Sequence, residues 1–347
     1  MGSQEGGLHV GLIGVGRIGA FHARVLKGLA GVASLAIADA DPGRAESLAE
    51  ELGARAVETP EALVDSGVDA LVIACATPGH APLLRLAARA GIPAFCEKPV
   101  ALDLATMDSV LEDVARAGIV VQIGFQRRFD AGYRAAREAV ASGTVGRILV
   151  MRAATHDPSP PSKDYIAASG GIFRDLHIHD FDAVRFVSGE EVTQVYADGA
   201  ALEDGWFEEY GDVDVSAAVL RLTGGGLVIV SGTRHDPLGY DVRLEVFGTG
   251  DSIAVGLDAR SPIRSVEDGI DRPQDPSYRD FLDRFEPAYE NELAAFVATV
   301  HRGGESPCSL EEARAALSVA LAADRSRAER RPVSVEEVGL AQTPSIG

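Results

Sequence analysis

Over the first 124 residues, short runs that are apolar at every position alternate with longer stretches that are apolar every third or fourth residue. Runs apolar on both faces, interleaved with one-sided helices, predict a parallel sheet covered on each side. The expected strands are Leu8–Ile13, Ala33–Ala38, Arg55–Val57, Ala70–Ala74, Ile92–Cys96 and Ile119–Ile123. The expected helices are Arg17–Ala30, Pro42–Leu52, Ala81–Ala90 and Leu104–Ala117, the last two stopped by Gly91 and Gly118.

After Gly124 the pattern changes. A helix over Tyr133–Ser142 and a strand over Arg147–Thr155 lead into the proline-rich stretch Asp157–Ser162, which cannot be regular structure. A helix is expected over Phe173–Val187, then strands at Val192–Ala197, Val213–Leu222, Leu227–Gly232, Asp241–Phe247 and Ser252–Val255, with Gly224–Gly226 as a hairpin turn. Strands following one another through turns predict a mostly antiparallel sheet. Leu227–Val230 is apolar on both faces, so one face should pack on helices and the other needs cover, most simply a second subunit. The acidic stretch Glu203–Asp214 reads as a solvated loop, and helices over Tyr289–Val300 and Leu310–Ala322 close the chain.

At 347 residues two domains are expected. A formal net charge of -20 argues against nucleic acid and anionic membrane as partners, because phosphate backbones need clustered positive charge. Three scattered cysteines without a CxxC pair fit a reducing compartment. The polar stretch Met1–Gly7 lacks the form of a signal peptide, and no apolar run is long enough to span a bilayer, so a cytoplasmic protein is expected.

Gly14-Val15-Gly16-Arg17-Ile18-Gly19 follows the first strand and opens a helix, the context in which GxGxxG acquires meaning. Gly14 permits the turn, Gly16 lets backbone approach a pyrophosphate, and Gly19 allows close helix–strand packing, with Arg17 and Ile18 beginning the helix whose N-terminus faces phosphate. Asp39 closes the second strand, where a carboxylate accepts from ribose hydroxyls and repels a 2′-phosphate, so NAD is preferred over NADP. Ala76, Thr77 and His80 follow the central strand at the same edge of the sheet and should border the dinucleotide, with His80 as a loop or cap residue rather than a base. Glu97 and Lys98 end another strand there. Lys98 is one of only three lysines against twenty-nine arginines, and a partly buried lysine can take part in proton chemistry that arginine cannot.

The second dense cluster runs from Ser169 to Asp182. On a continuous helix Asp175 and His179 stand at i and i+4 on one face, where a carboxylate can orient an imidazole and raise its pKa. His177 and His179 diverge at i, i+2 and lack a cysteine or further histidine cluster, so no metal is expected.

Together these residues resemble the Gfo/Idh/MocA oxidoreductase family. The likeness lies in the glycine fingerprint, in Cys96-Glu97-Lys98-Pro99 after a strand, and in Gly170-Gly171 followed by Asp175 and His179. Gly124-Phe125-Gln126-Arg127-Arg128-Phe129-Asp130 and Ile178-His179-Asp180-Phe181-Asp182 resemble its inositol 2-dehydrogenase branch. The resemblance implies an α/β fold: an NAD-binding Rossmann domain with a doubly wound parallel sheet over residues 1–124, then a C-terminal α/β domain over 125–347, whose C-terminal helix can pack back on the first. The second domain would carry a large, mostly antiparallel open sheet, bind substrate and assemble the chain as a tetramer or dimer through that sheet.

It also implies a catalytic set of Lys98, Asp175 and His179, and polyol contacts from Arg127, Tyr240, Tyr289 and Asp157 or its neighbour His156. Two residues depart from the family pattern: Gln126 stands where an apolar residue is common, and His177 where a small one is. The implied activity is NAD-dependent oxidation of a ring hydroxyl of a cyclitol, as in myo-inositol 2-dehydrogenases. The alternatives are another cyclitol such as scyllo-inositol, an aminocyclitol, or a pyranose such as glucose. A nucleotide-sugar substrate lacks a basic cluster beyond Arg127, Arg128 and Arg174, and a non-catalytic NAD-sensing regulator would not keep both the lysine and the histidine.

Overall fold

The computed structural model describes residues 7–203, 205–270 and 275–340. The N-terminal stretch read for targeting signals, apart from Gly7, lies outside the described residues. The chain divides into two compact units. The first comprises the chain through Gln126 together with Tyr289–Arg314, and the second comprises Arg127–Ala288 with the chain from Ala315 onward.

The first unit is built on six strands: β1 (Leu8–Ile13), β2 (Val32–Ala38), β3 (Arg55–Ala56), β4 (Ala70–Ile73), β5 (Ala94–Glu97) and β6 (Val121–Gly124). They lie in the order β3-β2-β1-β4-β5-β6, and every pairing is parallel. This is the doubly wound order, with its reversal between β1 and β4. Leu12, Ile37, Val72 and Phe95 are fully buried because helices cover both faces, which is why these strands lack an alternating pattern. Leu293, Phe296 and Val297 pack into the same core as Leu8, Val10 and Leu26. A late segment, Tyr289–Arg314, therefore belongs to this unit, where the linear reading put the boundary at Gly124 and let only a C-terminal helix pack back on the first domain.

The second unit carries β7 (Ile148–His156), β8 (Val192–Ala200), β9 (Val215–Leu222), β10 (Leu227–Thr233), β11 (Asp241–Gly248), β12 (Ser252–Val255) and β13 (Val333–Ser334). Their order is β12-β11-β7-β10-β9-β8-β13, antiparallel except for the parallel pair β7–β10. The hairpin at Gly224–Gly226 is present, with Leu227 opposite Arg221. Along β10 burial alternates: Val228 and Val230 are fully buried, while Leu227 is 36% and Ile229 44% exposed. Burying each valine stabilises the unit by about 1.5–3 kcal/mol, and the outward pair gains less because part of its apolar surface stays exposed.

Two local expectations fail. The single helix over Phe173–Val187 is interrupted, with one short helix at Ile172–Asp175 and another at Ile178–Ser188. At the break the His177 N–H donates to the Ile172 carbonyl, five residues back, at 3.0 Å. This wide turn inserts a residue into the helical register, so the i, i+4 argument for Asp175 and His179 does not hold. The acidic stretch before Asp214 is only partly solvated. Gly205–Tyr210 forms a 3-10 helix with Phe207 fully buried, and Asp214, also buried, accepts the N–H groups of Leu202 and Glu203 at 2.8 and 2.9 Å. Residue 204 of that stretch lies outside the described residues.

Candidate active site

In the first unit the glycine loop stands at the C-terminal end of β1. Gly14 has φ +96°, and a Cβ there would meet backbone atoms of Cys75 at 2.5 Å, so only glycine fits the turn. A Cβ on Gly19 would collide with the Gly14 carbonyl, which is the close helix–strand packing expected of the third glycine. Gly16 differs. A Cβ there would meet nothing within 4 Å, and Gly16 and Arg17 are exposed at the start of the helix Arg17–Gly28, with Ile18 half-buried behind them. This is an open cradle of backbone N–H groups of the kind that takes a pyrophosphate.

Asp39, directly after β2, accepts the Val15 N–H at 2.7 Å and the Asp41 N–H at 2.9 Å. These two bonds leave lone pairs on the side chain free for a ribose diol. The loop after β4 carries exposed Ala76 and half-buried Thr77. His80 starts the helix His80–Ala90 and is 1% exposed. Its Nδ1 lies 2.8 Å from the Pro99 carbonyl and its Nε2 2.9 Å from the Cys75 carbonyl. Both carbonyls only accept, so both bonds together need the imidazolium, whereas burial draws the pKa below the ordinary histidine value. His80 thus ties two loops of this edge together, a structural anchor as the sequence suggested. Lys98 follows β5 and is half-buried. Glu97, read from sequence as a cofactor contact, is 7% exposed and turned to His22, whose Nε2 is 2.7 Å from Glu97 Oε1. Tyr289, expected at the polyol, is buried in this unit with its ring against Phe21 and His22. A separate concavity of about 730 Å³ is lined by His9, Lys27, Ser34 and Arg55, at the opposite edge of the sheet from the glycine loop, and it carries none of these groups.

In the second unit Asp175 is 6% exposed, and its carboxylate accepts from Tyr165 Oη at 2.7 Å and from Arg234 at 2.8 Å. Arg234, itself 3% exposed, also donates to Asp157 at 2.8 Å, so one guanidinium fixes two carboxylates. His179 is half-buried near the start of the helix Ile178–Ser188. Arg127 is 2% exposed and donates to Asp180 at 2.5 Å and to Thr155 at 2.9 Å. His177 Nδ1 is 2.7 Å from the other Asp180 oxygen, and its Nε2 is 2.7 Å from Ser216 Oγ. Burial alone would raise the Asp180 pKa, but Arg127 and His177 outweigh it and hold the carboxyl well below the usual range. Tyr240 is buried, with its ring edge-on to Phe285.

Sequence reasoning missed Tyr165, Asp180 as the hub of this network, and Arg234. An arginine at the end of the apolar run of β10 was the available signal for the last, the same signal that singled out Lys98.

Residues 8–125 match the model of an oxidoreductase family with an NAD-binding Rossmann fold, and residues 133–254 match the GFO/IDH/MocA C-terminal domain. The chain is 38% identical over 333 residues to a myo-inositol 2-dehydrogenase of Thermotoga maritima, covering 95% of this chain and 99% of that protein. It is 40% identical over 331 residues to an inositol 2-dehydrogenase of Rhizobium meliloti, covering 94% and 98%. The structure matches that of a scyllo-inositol dehydrogenase from Lactobacillus casei with bound NAD(H) and scyllo-inositol, with a TM-score of 0.87 at 27% identity, covering 95% of this chain and 99% of that one. The open cradle at Gly16, the carboxylate of Asp39 and these matches over both units agree: the chain belongs to the Gfo/Idh/MocA family of oxidoreductases, whose Rossmann domain binds NAD.

Proposed function

We propose that this protein oxidises a ring hydroxyl of a cyclitol, as a myo-inositol 2-dehydrogenase does, with NAD as the acceptor. The observation that carries the reading is one fixed constellation in the second unit, Asp157–Arg234–Asp175–Tyr165, in a chain matching two inositol 2-dehydrogenases over 94–95% of its length. Carboxylates held rigidly by arginine and tyrosine suit a ligand rich in hydroxyl donors, because they accept without reorganising.

The proposed catalytic set is Lys98, Asp175 and His179. NAD, held at the glycine loop and Asp39, would supply the hydride acceptor for the carbinol hydrogen. His179 accepts the hydroxyl proton as general base. Lys98 donates a hydrogen bond to the same oxygen and stabilises its developing negative charge. Asp175, fixed by Tyr165 and Arg234, is proposed to orient His179. Asp157 and Tyr240 are proposed polyol contacts, as is Tyr289. Arg127 is proposed to serve the pocket from its place on Asp180, and Gly14, Gly16, Arg17, Ile18, Gly19, Asp39, Ala76, Thr77, His80 and Glu97 to form or support the dinucleotide site.

The outward face of the second sheet exposes Leu149, Tyr196, Val219, Leu227 and Ile229, with Ile229 registered on Val219 and Val219 on Tyr196. We assign this patch to a second copy of the chain, in a tetramer or dimer. A cytoplasmic location is supported by Cys75, Cys96 and Cys308 all being free thiols.

The test is NADH formation, followed by absorbance, with myo-, scyllo- and chiro-inositol, glucose and xylose. Turnover of an inositol well above that of the aldoses is expected. Turnover of an aldose alone would move the substrate to a pyranose, and no turnover of any of the five would end the cyclitol reading.

A further inference from the structure

Within the first unit, three buried titratable groups cluster together. His22 is 0% exposed, Glu97 7% and Glu292 0%, and their ligand-capable atoms all lie within 4.8 Å of one another. They come from three elements: the helix Arg17–Gly28, the end of β5, and the helix Phe281–Arg302. Cys96, Tyr289 and Gln122 also border the cluster, Lys98 adjoins it through its backbone N–H, and Phe95 and Phe296 add apolar walls.

The hydrogen bonds fix where the protons are. Glu97 as a carboxylate can only accept, so the 2.7 Å contact requires His22 to donate from Nε2. His22 Nδ1 is buried without a partner, which suits a bare lone pair on a neutral ring far better than a second N–H. Neither carboxyl oxygen of Glu292 receives a hydrogen bond, and an anion so placed would bear its full desolvation cost. Glu97 carries the charge instead. It accepts from His22, and its other oxygen lies 3.3 Å from the Lys98 backbone N–H. Gly124 leaves room for it, since a Cβ there would come within 3.1 Å of the Glu97 carboxyl group.

We propose that His22, Glu97 and Glu292 share one negative charge and one carboxyl proton, with Glu292 held as the neutral acid, and that His22 and Glu292 thereby act as positioning residues for Lys98 through Glu97. A metal ion is the competing occupant. The 2.7 Å separation of His22 Nε2 and Glu97 Oε1 is that of a hydrogen bond and shorter than two ligands on one ion usually approach, which favours the proton. The link to Lys98 rests on the function proposed above, but the protonation state does not.

Infrared spectroscopy of the full-length protein at neutral pH should show the C=O stretch of a protonated carboxyl group that disappears in Glu292→Gln. Elemental analysis should find no stoichiometric metal. With whichever polyol is turned over, Glu292→Leu should lower kcat by about tenfold with NAD affinity unchanged, because it removes the proton-bearing group within 4.8 Å of the Glu97 carboxylate. Glu292→Gln, a neutral polar side chain of the same shape as the acid, should restore most of that loss. An infrared spectrum unchanged by Glu292→Gln would overturn the proposal, as would a metal ion present in the wild type and lost from that variant. Equal losses of kcat in the two variants would reduce the triad to packing. If no polyol is turned over, the infrared and metal results still decide the protonation state, and the failure belongs to the substrate reading. If Glu292→Leu does not fold, Glu292→Gln and the spectrum remain decisive.

Discussion

The Asp39 carboxylate holds the Val15 backbone N–H at 2.7 Å, which ties the end of β2 to the glycine loop. The residue expected to select the cofactor therefore also shapes the loop that receives its phosphates. Asp39→Ala should weaken NAD binding by about ten- to hundredfold, since a charged hydrogen-bond partner is lost on both counts. It should also narrow the preference for NAD over NADP, because the repulsion of a 2′-phosphate goes with it. Titration of both cofactors against intrinsic fluorescence measures the two effects.

Lys98→Ala and His179→Ala should each reduce kcat by roughly 10²–10⁴-fold, the usual range for a positioned acid or base. NAD affinity should stay close to that of the wild type in both. Steady-state kinetics beside a cofactor titration separates the two quantities, and wild-type turnover in either variant would remove that residue from the mechanism.

Arg234 neutralises two carboxylates from a position only 3% exposed. Removing one member of such a buried set leaves uncompensated charge, so Arg234→Ala should lower the unfolding free energy by about 3–5 kcal/mol. Urea unfolding gives the number. Arg234→Lys should recover part of it, because one ammonium cannot serve both carboxylates with the planar geometry of a guanidinium.

Burial first, and then the neighbouring Glu97, raise the Glu292 pKa well above its ordinary 4.5. The unfolded chain releases this proton near that ordinary value, while the native chain keeps it. Native stability from this group is complete at lower pH and declines as pH rises toward the folded pKa. Glu292→Gln has no proton to retain, so its Tm relative to wild type should climb between about pH 5 and 8. A difference independent of pH would mean that Glu292 is ionised in the folded protein.

Val219 and Ile229 face outward, 45% and 44% exposed, and are registered partners on adjacent strands. Replacing both with lysine should shift the oligomer to monomer in light scattering while the fold survives, since neither side chain is in the protomer's core. An unchanged mass would remove this face from the proposed assembly.

Much of this molecule is legible along the chain. The six parallel strands follow from runs with no polar face, because only a sheet covered on both sides can bury them. The fingerprint from Gly14 to Gly19 is local geometry, a left-handed turn and a close approach that side chains would block, so its place could be read without a fold. Asp39 and Lys98 were legible for a similar reason, as charged residues at the C-terminal ends of apolar strands.

The rest depended on residues far apart in sequence. The break between Asp175 and His179 arises where the His177 side chain is drawn to Asp180 and Ser216, and helical periodicity carries no trace of that pull. Arg234 reaches across 59 residues to Asp175, and Glu292 enters the first unit from late in the chain. Periodicity reports which face of an element avoids water. It does not say which buried charge meets which, and at a polar site those pairings, settled by desolvation in the folded core, determine where each proton and each charge resides.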